Sequence, residues 1–552
     1  MLQITRVISP VRFFDERSLR LARWMSERYV TPLATALGAM SPPRVAGEEV
    51  EGHADGPAEI RGVASLLPSA SPRSEPPGPS SGPPAPRPEL LQTYSRGADL
   101  LGGIAAGAGA FVLRPAAEEE QTLAVEAVGA CLAAGRRAIV LVPEASPRPA
   151  TATALLEAFG DRVCLFVGGD RRQRYRTWLD VRAGRFDVLV GTRPAVFAPV
   201  GELGLVFISR ESHPAHREER APYYHVRDVG LRRATIEGAA CVLAALCPSA
   251  EVAALELPSV TPSGRRWPKV EVVRPGPEGR APRLIQALKT ARRAFVLSPA
   301  PGYGIAQVCR TCGAPAACAS CGGILRLEGG AIRCIVCAAA GACATCGGSS
   351  FGIRRGGAER VEEWVARVAT VPVARPTRPR LPKRSGEVVI GGPEQVRDLG
   401  VGGLDLVAVL DADAAARRPG LAARERALAV WMEAVGWARP GGRAIVQSSS
   451  ASDPAVQALV RGNPDRFLAR EQETRAAAGF PVGACVFRVV GTAELAAALD
   501  EQHPITSLIT TLGERTVCLL ALEPGRVPAF GRAMRRLAGT GVVERVEAEP
   551  HL

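Results

Sequence analysis

The chain has 552 residues, 47% of them hydrophobic, and a formal net charge of +13. This length exceeds what one core can fill and predicts three or four domains, and the composition excludes a wholly disordered chain. No run of about 18 apolar residues occurs, and the N-terminal stretch lacks the apolar segment of a secretion signal. We therefore expect a cytoplasmic protein with no membrane partner, and the positive charge favours a polyanionic partner. Only three of the 68 basic residues are lysines, so an arginine-rich, high-GC coding sequence is the alternative explanation of the charge.

The first 92 residues predict a helical start and a linker. Residues 12–40 form two amphipathic patterns, with Asp15 placed to cap the first helix. Residues 68–88 contain nine prolines. Such a segment cannot bury a core, and we expect a disordered linker over 46–92.

Two sets of short apolar runs then alternate with helical stretches, which is typical of parallel sheets covered on both faces. The first set lies at 136–144, 162–169, 186–193 and 203–209, with helical stretches at 118–134 and 150–159. The second set lies at 293–299, 386–392, 404–413 and 442–449. Residues 452–552 have a mixed α+β pattern. The predicted fold class is α/β, with two parallel-sheet lobes and a small α+β C-terminal domain.

Eight cysteines in four C-x-x-C pairs occupy one 38-residue window inside the second set. Each pair is typical of a zinc knuckle, and a tetrahedral site needs two knuckles. Twelve residues separate Cys321 from Cys334, enough for a hairpin, whereas only five separate adjacent pairs on either side. The spacing therefore favours a nested arrangement with two zinc ions per chain. One ion is bound by Cys318, Cys321, Cys334 and Cys337, and the other by Cys309, Cys312, Cys343 and Cys346.

Sulfur at all four positions leaves no coordination position open for water, so we expect both zinc ions to be structural. Glycines that follow three of the pairs supply the permissive backbone that such turns need. An iron–sulfur cluster and redox-active thiols are the alternatives.

Two parallel-sheet lobes in a basic chain suggest a nucleic-acid motor, but the phosphate-binding loop of such motors is missing. Before the first helix of lobe 1, residues 114–121 contain no glycine, and no lysine precedes Lys269. Glu119, Glu120 and Gln121 stand at the loop position, and Ser209 and Arg210 stand where an acidic pair would hold magnesium. Near residues 433–442, Trp437 and Pro440 replace the expected arginine pair. We therefore expect no catalytic residues and no nucleotide-binding residues, and ATP is a doubtful cofactor.

Two basic segments are candidates for DNA contact. The first places four arginines around an aromatic ring, a pattern that fits a phosphate-tracking loop with a base-stacking side chain and fits a solvated turn between strand and helix equally well. Its residues are Arg171, Arg172, Arg174, Tyr175 and Arg176. The second is a proline-rich basic loop with Arg378, Arg380, Lys383 and Arg384.

The eight-cysteine window, "GTRPAVFAPVGELGLVFI" (191–208), "YYHVRD" (223–228) and "GGAERVEEWV" (356–365) carry a family resemblance. From about residue 5 onwards, the linker apart, the chain resembles the PriA family of replication restart proteins (primosomal protein N′). The resemblance implies two RecA-like helicase lobes with a zinc module in the second, and DNA-binding domains at both ends. Because the phosphate loop and the acidic pair are replaced, the chain resembles the helicase-less branch of that family in high-GC bacteria.

The resemblance also implies a domain plan and a set of partners. We expect a remnant of the N-terminal DNA-binding domain at 1–45, the linker at 46–92, degenerate lobe 1 at 93–258, degenerate lobe 2 at 259–451 with a zinc insertion at 305–350, and a C-terminal DNA-binding domain at 452–552. The implied partners are forked or branched DNA, other primosome proteins, single-stranded DNA-binding protein and the replicative helicase machinery. We expect a monomer.

These features favour a non-enzymatic protein that binds stalled forks and helps to reload the replicative helicase. Three alternatives remain. They are an active ATP-dependent 3′→5′ DNA helicase, a zinc-ribbon protein that binds RNA, and a relic that keeps only its zinc fold.

Overall fold

The computed structural model describes residues 9, 11–49, 87–264, 267–276, 280–298, 304–314, 316, 318–320, 325–328, 331–334, 337–354, 358–413 and 420–550. The chain divides into two compact units. Unit 1 comprises Met1–Pro115, Glu119–Gly264 and Gln472–Pro550, and unit 2 comprises Ala116–Glu118, Arg265–Glu471 and His551–Leu552.

The large sheet of unit 1 has eight strands in the order β1-β8-β2-β7-β6-β3-β5-β4. They are β1 (Tyr94–Ser95), β2 (Ala110–Leu113), β3 (Arg137–Leu141), β4 (Val163–Phe166), β5 (Val188–Gly191), β6 (Leu203–Ile208), β7 (Ala240–Ala244) and β8 (Ser259–Pro262). All neighbouring pairs are parallel except β1–β8. The parallel sheet predicted for lobe 1 is confirmed, although β1, β2, β7 and β8 were not predicted.

Helices cover both faces of this sheet. They are α1 (Glu16–Arg28), α2 (Leu33–Met40), α3 (Glu89–Thr93), α4 (Gly97–Ala106), α5 (Glu120–Ala133), α6 (Ala150–Phe159), α7 (Arg171–Arg182), α8 (Val226–Glu237) and α9 (Ala250–Ala253). Alternate strand residues enter two cores: one contains side chains of α1, α2 and α8, and the other contains side chains of α3 to α6. The Asp15 cap predicted for α1 is confirmed, because the Ser18 backbone N–H donates to its carboxylate over 2.8 Å.

Unit 2 contains a six-stranded parallel sheet in the order β15-β16-β10-β17-β18-β9. Its strands are β9 (Lys269–Val273), β10 (Arg293–Leu297), β15 (Val373–Ala374), β16 (Glu387–Gly391), β17 (Leu404–Val409) and β18 (Ala438–Gln447). An antiparallel sheet of order β13-β12-β11-β14 carries the cysteine window, with β11 (Gly304–Cys309), β12 (Leu325–Glu328), β13 (Ala331–Cys334) and β14 (Phe351–Arg354). The helices are α10 (Pro282–Thr290), α11 (Ala358–Val368), α12 (Ala423–Val435) and α13 (Pro454–Arg461), and α14 (Asp465–Ala477) continues into unit 1.

The C-terminal part of unit 1 forms an antiparallel sheet of order β20-β21-β19-β22, so the predicted α+β pattern is confirmed. It comprises β19 (Cys485–Gly491), α15 (Leu495–Asp500), β20 (Thr506–Leu512), β21 (Arg515–Leu522), α16 (Val527–Gly539) and β22 (Val543–Ala548). Short 3₁₀ turns lie at Ala46–Glu48, Gly160–Arg162, Arg193–Phe197, Pro214–His216, Pro393–Gln395 and Pro524–Arg526.

Three predicted boundaries differ from the structure. The predicted start of lobe 2 at residue 259 falls inside the first sheet, because β8 pairs with both β1 and β2. The predicted C-terminal domain begins at 452, but the structure assigns residues up to Glu471 to unit 2. The predicted linker is too long at both ends, since Ala46–Glu48 forms a turn and α3 begins at Glu89. Residues 50–86 of that linker lie outside the described residues.

Candidate functional site

Four cysteines of the window form one compact group. The sulfur atoms of Cys309, Cys312, Cys343 and Cys346 all lie within 4.8 Å of one another. The Sγ atoms of Cys309 and Cys346 are 3.6 Å apart, and those of Cys312 and Cys343 are 3.8 Å apart. A disulfide bond is about 2.05 Å long, so these are four separate thiols arranged as a cation site requires.

A second group contains Cys318, Cys334 and Cys337, whose sulfur atoms likewise lie within 4.8 Å of one another. Cys321, the predicted fourth member, lies outside the described residues. A single antiparallel bridge joins Cys318 to Cys343 and so connects the two groups through the backbone. The seven described thiols are grouped as the nested arrangement has them.

The same backbone turn builds three of the cysteine pairs. In each, the N–H four residues after the first cysteine donates to the carbonyl of that cysteine: Gly313 to Cys309 over 2.9 Å, Ala338 to Cys334 over 3.0 Å, and Gly347 to Cys343 over 2.8 Å. The donor residue has a positive φ in all three turns, 73°, 58° and 70° respectively. Glycine adopts this conformation without strain, which explains the glycines after two of these pairs.

Backbone N–H groups point at the sulfur atoms of the first group. The N–H of Cys312 is the main cause that lowers the pKa of Cys309 to about 6. The N–H of Cys346 lowers the pKa of Cys343, and the Thr345 N–H also donates to that sulfur over 3.4 Å. These dipoles favour the thiolate of Cys309 and Cys343, which is the form that binds metal ions. At Cys346 the Gly348 N–H lowers the pKa, but hydrogen bonds with Cys312 and Cys309 outweigh it and raise this pKa to about 12.

At the start of α5, two carboxylates lie at the position where the family resemblance implies a phosphate loop. The Tyr94 hydroxyl donates to Oε2 of Glu119 over 2.6 Å, and the Ser209 hydroxyl donates to Oε1 of Glu120 over 2.6 Å. Ser209 follows the end of β6, at the position of the expected acidic pair, and Glu120 stands at the position of the expected phosphate loop. One side-chain hydrogen bond therefore joins these two positions. Carboxylates at a helix N-terminus complement its partial positive charge, which would otherwise attract a phosphate.

The residues after Ser209 are buried and paired. Glu211 is fully buried, and its carboxylate accepts from Nη1 of Arg227 over 3.0 Å and from the Ser249 hydroxyl over 2.8 Å. Burial lowers the pKa of Arg227, but Asp228 and Glu211 outweigh it and hold this pKa well above its usual value. Arg210 has a positive φ of 50° and lies 3.9 Å from the carboxylate of Glu144.

The structure adds partners that the sequence did not indicate. Tyr94 lies directly after the linker, in no pattern that would predict a contact with Glu119. Ser249 could have been found, because a serine before an apolar helical stretch is a common N-cap, and its hydroxyl accepts from the Val252 N–H. In unit 2, Trp437 is buried against Phe295 with ring centroids 5.0 Å apart, and Arg439 pairs with Asp405 over 3.0 Å.

The first basic segment is a helix, not the predicted loop. Tyr175 is 0% exposed and stacks on Trp178, with ring centroids 6.1 Å apart, inside a small core. Its ring is therefore not available to a base, and the prediction of base stacking was wrong. Arg171, Arg172, Arg174 and Arg176 are exposed on α7, and their contact with DNA stays a prediction.

The second basic segment lies between β15 and β16. Arg380 is half-buried and holds Glu387 with two hydrogen bonds of 2.6 and 3.0 Å. Arg378, Lys383 and Arg384 are exposed. Arg380 therefore has a structural role, and DNA contact by the other three stays a prediction.

Comparison with known proteins gives the family. No family model matches the chain. The chain is 30% identical over 458 residues to the probable replication restart protein PriA of Mycobacterium tuberculosis (strain H37Rv), covering 74% of this chain and 68% of that protein. It is 26% identical over 519 residues to the replication restart protein PriA of Treponema pallidum, covering 87% of this chain and 75% of that protein.

The chain belongs to the PriA family. Among solved structures it is similar to the Mycobacterium smegmatis helicase Lhr bound to ssDNA and AMP-PNP, with 13% identity, a TM-score of 0.37, and coverage of 81% of this chain and 60% of that one. It is also similar to the Escherichia coli DEAH/RHA helicase HrpB, with 16% identity, a TM-score of 0.34, and coverage of 64% and 42%.

In this PriA-family chain, the segment "YYHVRD" has a packing role. Tyr224 is buried against Phe197, with ring centroids 5.0 Å apart. His225 caps α8, since its Nδ1 accepts from the Arg227 N–H over 3.1 Å.

No helix among the described residues is long and apolar enough to cross a membrane.

We predict that Arg227→Met destabilises unit 1 by about 3–5 kcal/mol at neutral pH, because it leaves the Glu211 carboxylate buried without its cation. Burial raises the pKa of Glu211. When burial raises the folded-state pKa of an acid, the protein loses no stability below the unfolded pKa of that acid, about 4.3 for glutamate. The free energy of unfolding then falls as the pH rises above this value. The loss should therefore be smaller near pH 4 than at pH 7, as measured by denaturant unfolding at both values.

Arg232→Met is the matched control, because Arg232 is exposed on the same helix and lies 6.0 Å from the Trp24 ring. It should cost no more than about 1 kcal/mol. Equal losses for the two variants would show that the buried pair does not hold this region.

Proposed function

We propose that this protein binds stalled or abandoned replication forks and promotes reloading of the replicative helicase, without ATP-driven unwinding. Its relatives are named replication restart proteins, and its charge of +13 suits a DNA partner. The observation that carries the second half of the proposal is the hydrogen bond between Ser209 and Glu120. Branched DNA, other primosome proteins, single-stranded DNA-binding protein and the replicative helicase machinery are the proposed partners of a monomer.

The chemistry at the start of α5 opposes nucleotide binding. A triphosphate needs backbone N–H groups, a lysine and a magnesium ion held by carboxylates. Here Glu119 and Glu120 would repel its negative charges, and the Ser209 hydroxyl is already engaged as a donor to Glu120. The residue that follows, Arg210, is a cation and cannot hold a magnesium ion.

We propose zinc as the ion of both cysteine groups, with Cys321 completing the second. The donor set fits, because four thiolates in a tetrahedral arrangement are the typical structural zinc ligands. When bound, zinc supplies folding energy rather than a reaction step. The protein's own part is to hold the sulfur atoms with repeated backbone turns and N–H dipoles.

We predict two zinc ions per chain. Zinc in four-cysteine modules contributes roughly 10 kcal/mol or more of apparent binding energy near neutral pH, so Cys343→Ser should lose at least one ion and loosen the module. Elemental analysis and limited proteolysis of the module measure this. Cys518→Ser, a buried cysteine in β21, is the control and should keep both ions. One zinc ion, or iron, in the unsubstituted protein would contradict the prediction.

We predict no ATP hydrolysis, with or without fork DNA, in an assay that also contains an active helicase as a positive control. Glu120→Lys alone should not restore activity, because the loop glycines and the acidic pair are still missing. DNA-stimulated hydrolysis in the unsubstituted protein, abolished by Glu119→Ala or Glu120→Ala, would show instead that the chain is an active ATPase and would contradict this part of the proposal.

We predict that the protein binds a branched fork more tightly than a duplex of equal length, because two linked DNA-binding regions can engage two arms. Affinity should fall with salt, at about 0.9 log units per decade of salt for each phosphate neutralised on duplex. Titrations of both substrates at several salt concentrations measure both effects. Equal affinity for fork and duplex would leave only a generic basic surface and would contradict fork recognition.

A further inference from the structure

The basic face of α7 is covered in part by an acidic segment of the same chain, Arg44–Glu49. The carboxylate of Glu48 accepts from Nε of Arg172 over 3.0 Å and from Nη2 of Arg176 over 2.8 Å. Arg171 donates to the Arg44 carbonyl over 2.7 Å. Three of the four arginines in the first turns of α7 therefore bind one short segment, and two of them, Arg172 and Arg176, are one helical turn apart.

A second carboxylate anchors that segment. Glu49 accepts from Nε and Nη2 of Arg44 over 2.7 and 2.6 Å, and from the Tyr175 hydroxyl over 2.7 Å. The Arg44 hydrogen bonds are the main cause that lowers the pKa of Glu49 to about 2. Glu49 is therefore charged at neutral pH, and it fixes the segment to the buried side of α7.

Glu48 is buried, but the two arginines that it binds are exposed. The side chain of Glu48 is 8% exposed, but those of Arg172 and Arg176 are 69% and 61% exposed. One acidic group that holds two guanidinium groups at a surface is the arrangement that a DNA phosphate makes with arginines. Glu48 thus stands where a phosphate group could bind.

We infer that Arg172 and Arg176 of α7 form a site for the DNA phosphate backbone, and that Glu48 occupies this site and competes with DNA. This inference rests on the proposed DNA binding. Ion pairs of exposed arginines are weak, whereas each phosphate contact releases a counterion. Phosphates can therefore replace Glu48 while Glu49 keeps the neighbouring turn attached to Tyr175.

A double-mutant cycle tests the competition. Glu48→Gln keeps the shape of the side chain and removes its charge. It should raise the affinity for fork DNA about threefold to tenfold at low salt, and steepen the salt dependence by roughly one to two units. In the Arg172→Gln/Arg176→Gln background the same substitution should change neither quantity, because its partners are gone. Glu157→Gln, an exposed carboxylate on α6, is the charge control and should have no effect.

Hydrogen exchange gives a readout that a general charge effect would not change. The Glu48 N–H donates to the Val45 carbonyl over 3.0 Å. Fork DNA that displaces Glu48 should therefore accelerate exchange at Glu48 in the 44–49 peptide, while Glu49 stays attached to Tyr175. An unchanged affinity in Glu48→Gln, or an equal gain with and without the two arginines, would overturn the inference while leaving DNA binding intact. Failure of both the unsubstituted protein and Glu48→Gln to bind DNA would overturn the proposed function as well.

Discussion

The buried carboxylate of Glu211 determines how the elements at the C-terminal ends of β6 and β7 pack in unit 1. It follows β6, its backbone N–H donates to the Ala244 carbonyl at the end of β7, and its side chain binds Arg227 of α8 and Ser249 before α9. A buried charge without these partners would cost several kcal/mol, so all four elements must meet at one place. The segment that follows β6 therefore holds β7, α8 and the start of α9 together.

The cysteine module depends on a different interaction, because its described residues form only a small apolar cluster. Among the described residues, its buried cluster consists of Cys309, Cys318, Cys334 and Cys343 with Leu325 and Phe351, and four partly buried side chains pack against it: Ala314, Ala316, Ile332 and Ala339. A core of this size cannot offset the conformational entropy of ordering the module. The backbone turns bring the sulfur atoms together, and an ion bound there would supply the folding energy that apolar burial supplies elsewhere.

The sequence patterns predict the sheets well, because a parallel strand buried on both faces is a continuous apolar run. They predict the grouping of the thiols, because chain length between cysteine pairs limits which pairs can meet. They fail for Tyr175, whose arginine neighbours suggest an exposed ring. Its burial depends on stacking with Phe13 and Trp178, and Phe13 is more than 150 residues away in the chain, beyond the reach of any local pattern. The pairing of β8 with β1 was missed for the same reason.

The distribution of arginines shows why net charge alone is a poor guide to a DNA surface. Arg227 and Arg233 are buried and serve the fold through Glu211 and Glu237. Such pairs contribute nothing to the field that a polyanion meets, whereas an exposed guanidinium contributes even when it has a weak carboxylate partner. Arg172 belongs to this second kind. For the DNA binding proposed above, the affinity would depend on how many exposed arginines can exchange a carboxylate for a phosphate. A chain that pairs these arginines with its own acidic segments would then bind DNA less tightly than its charge of +13 implies.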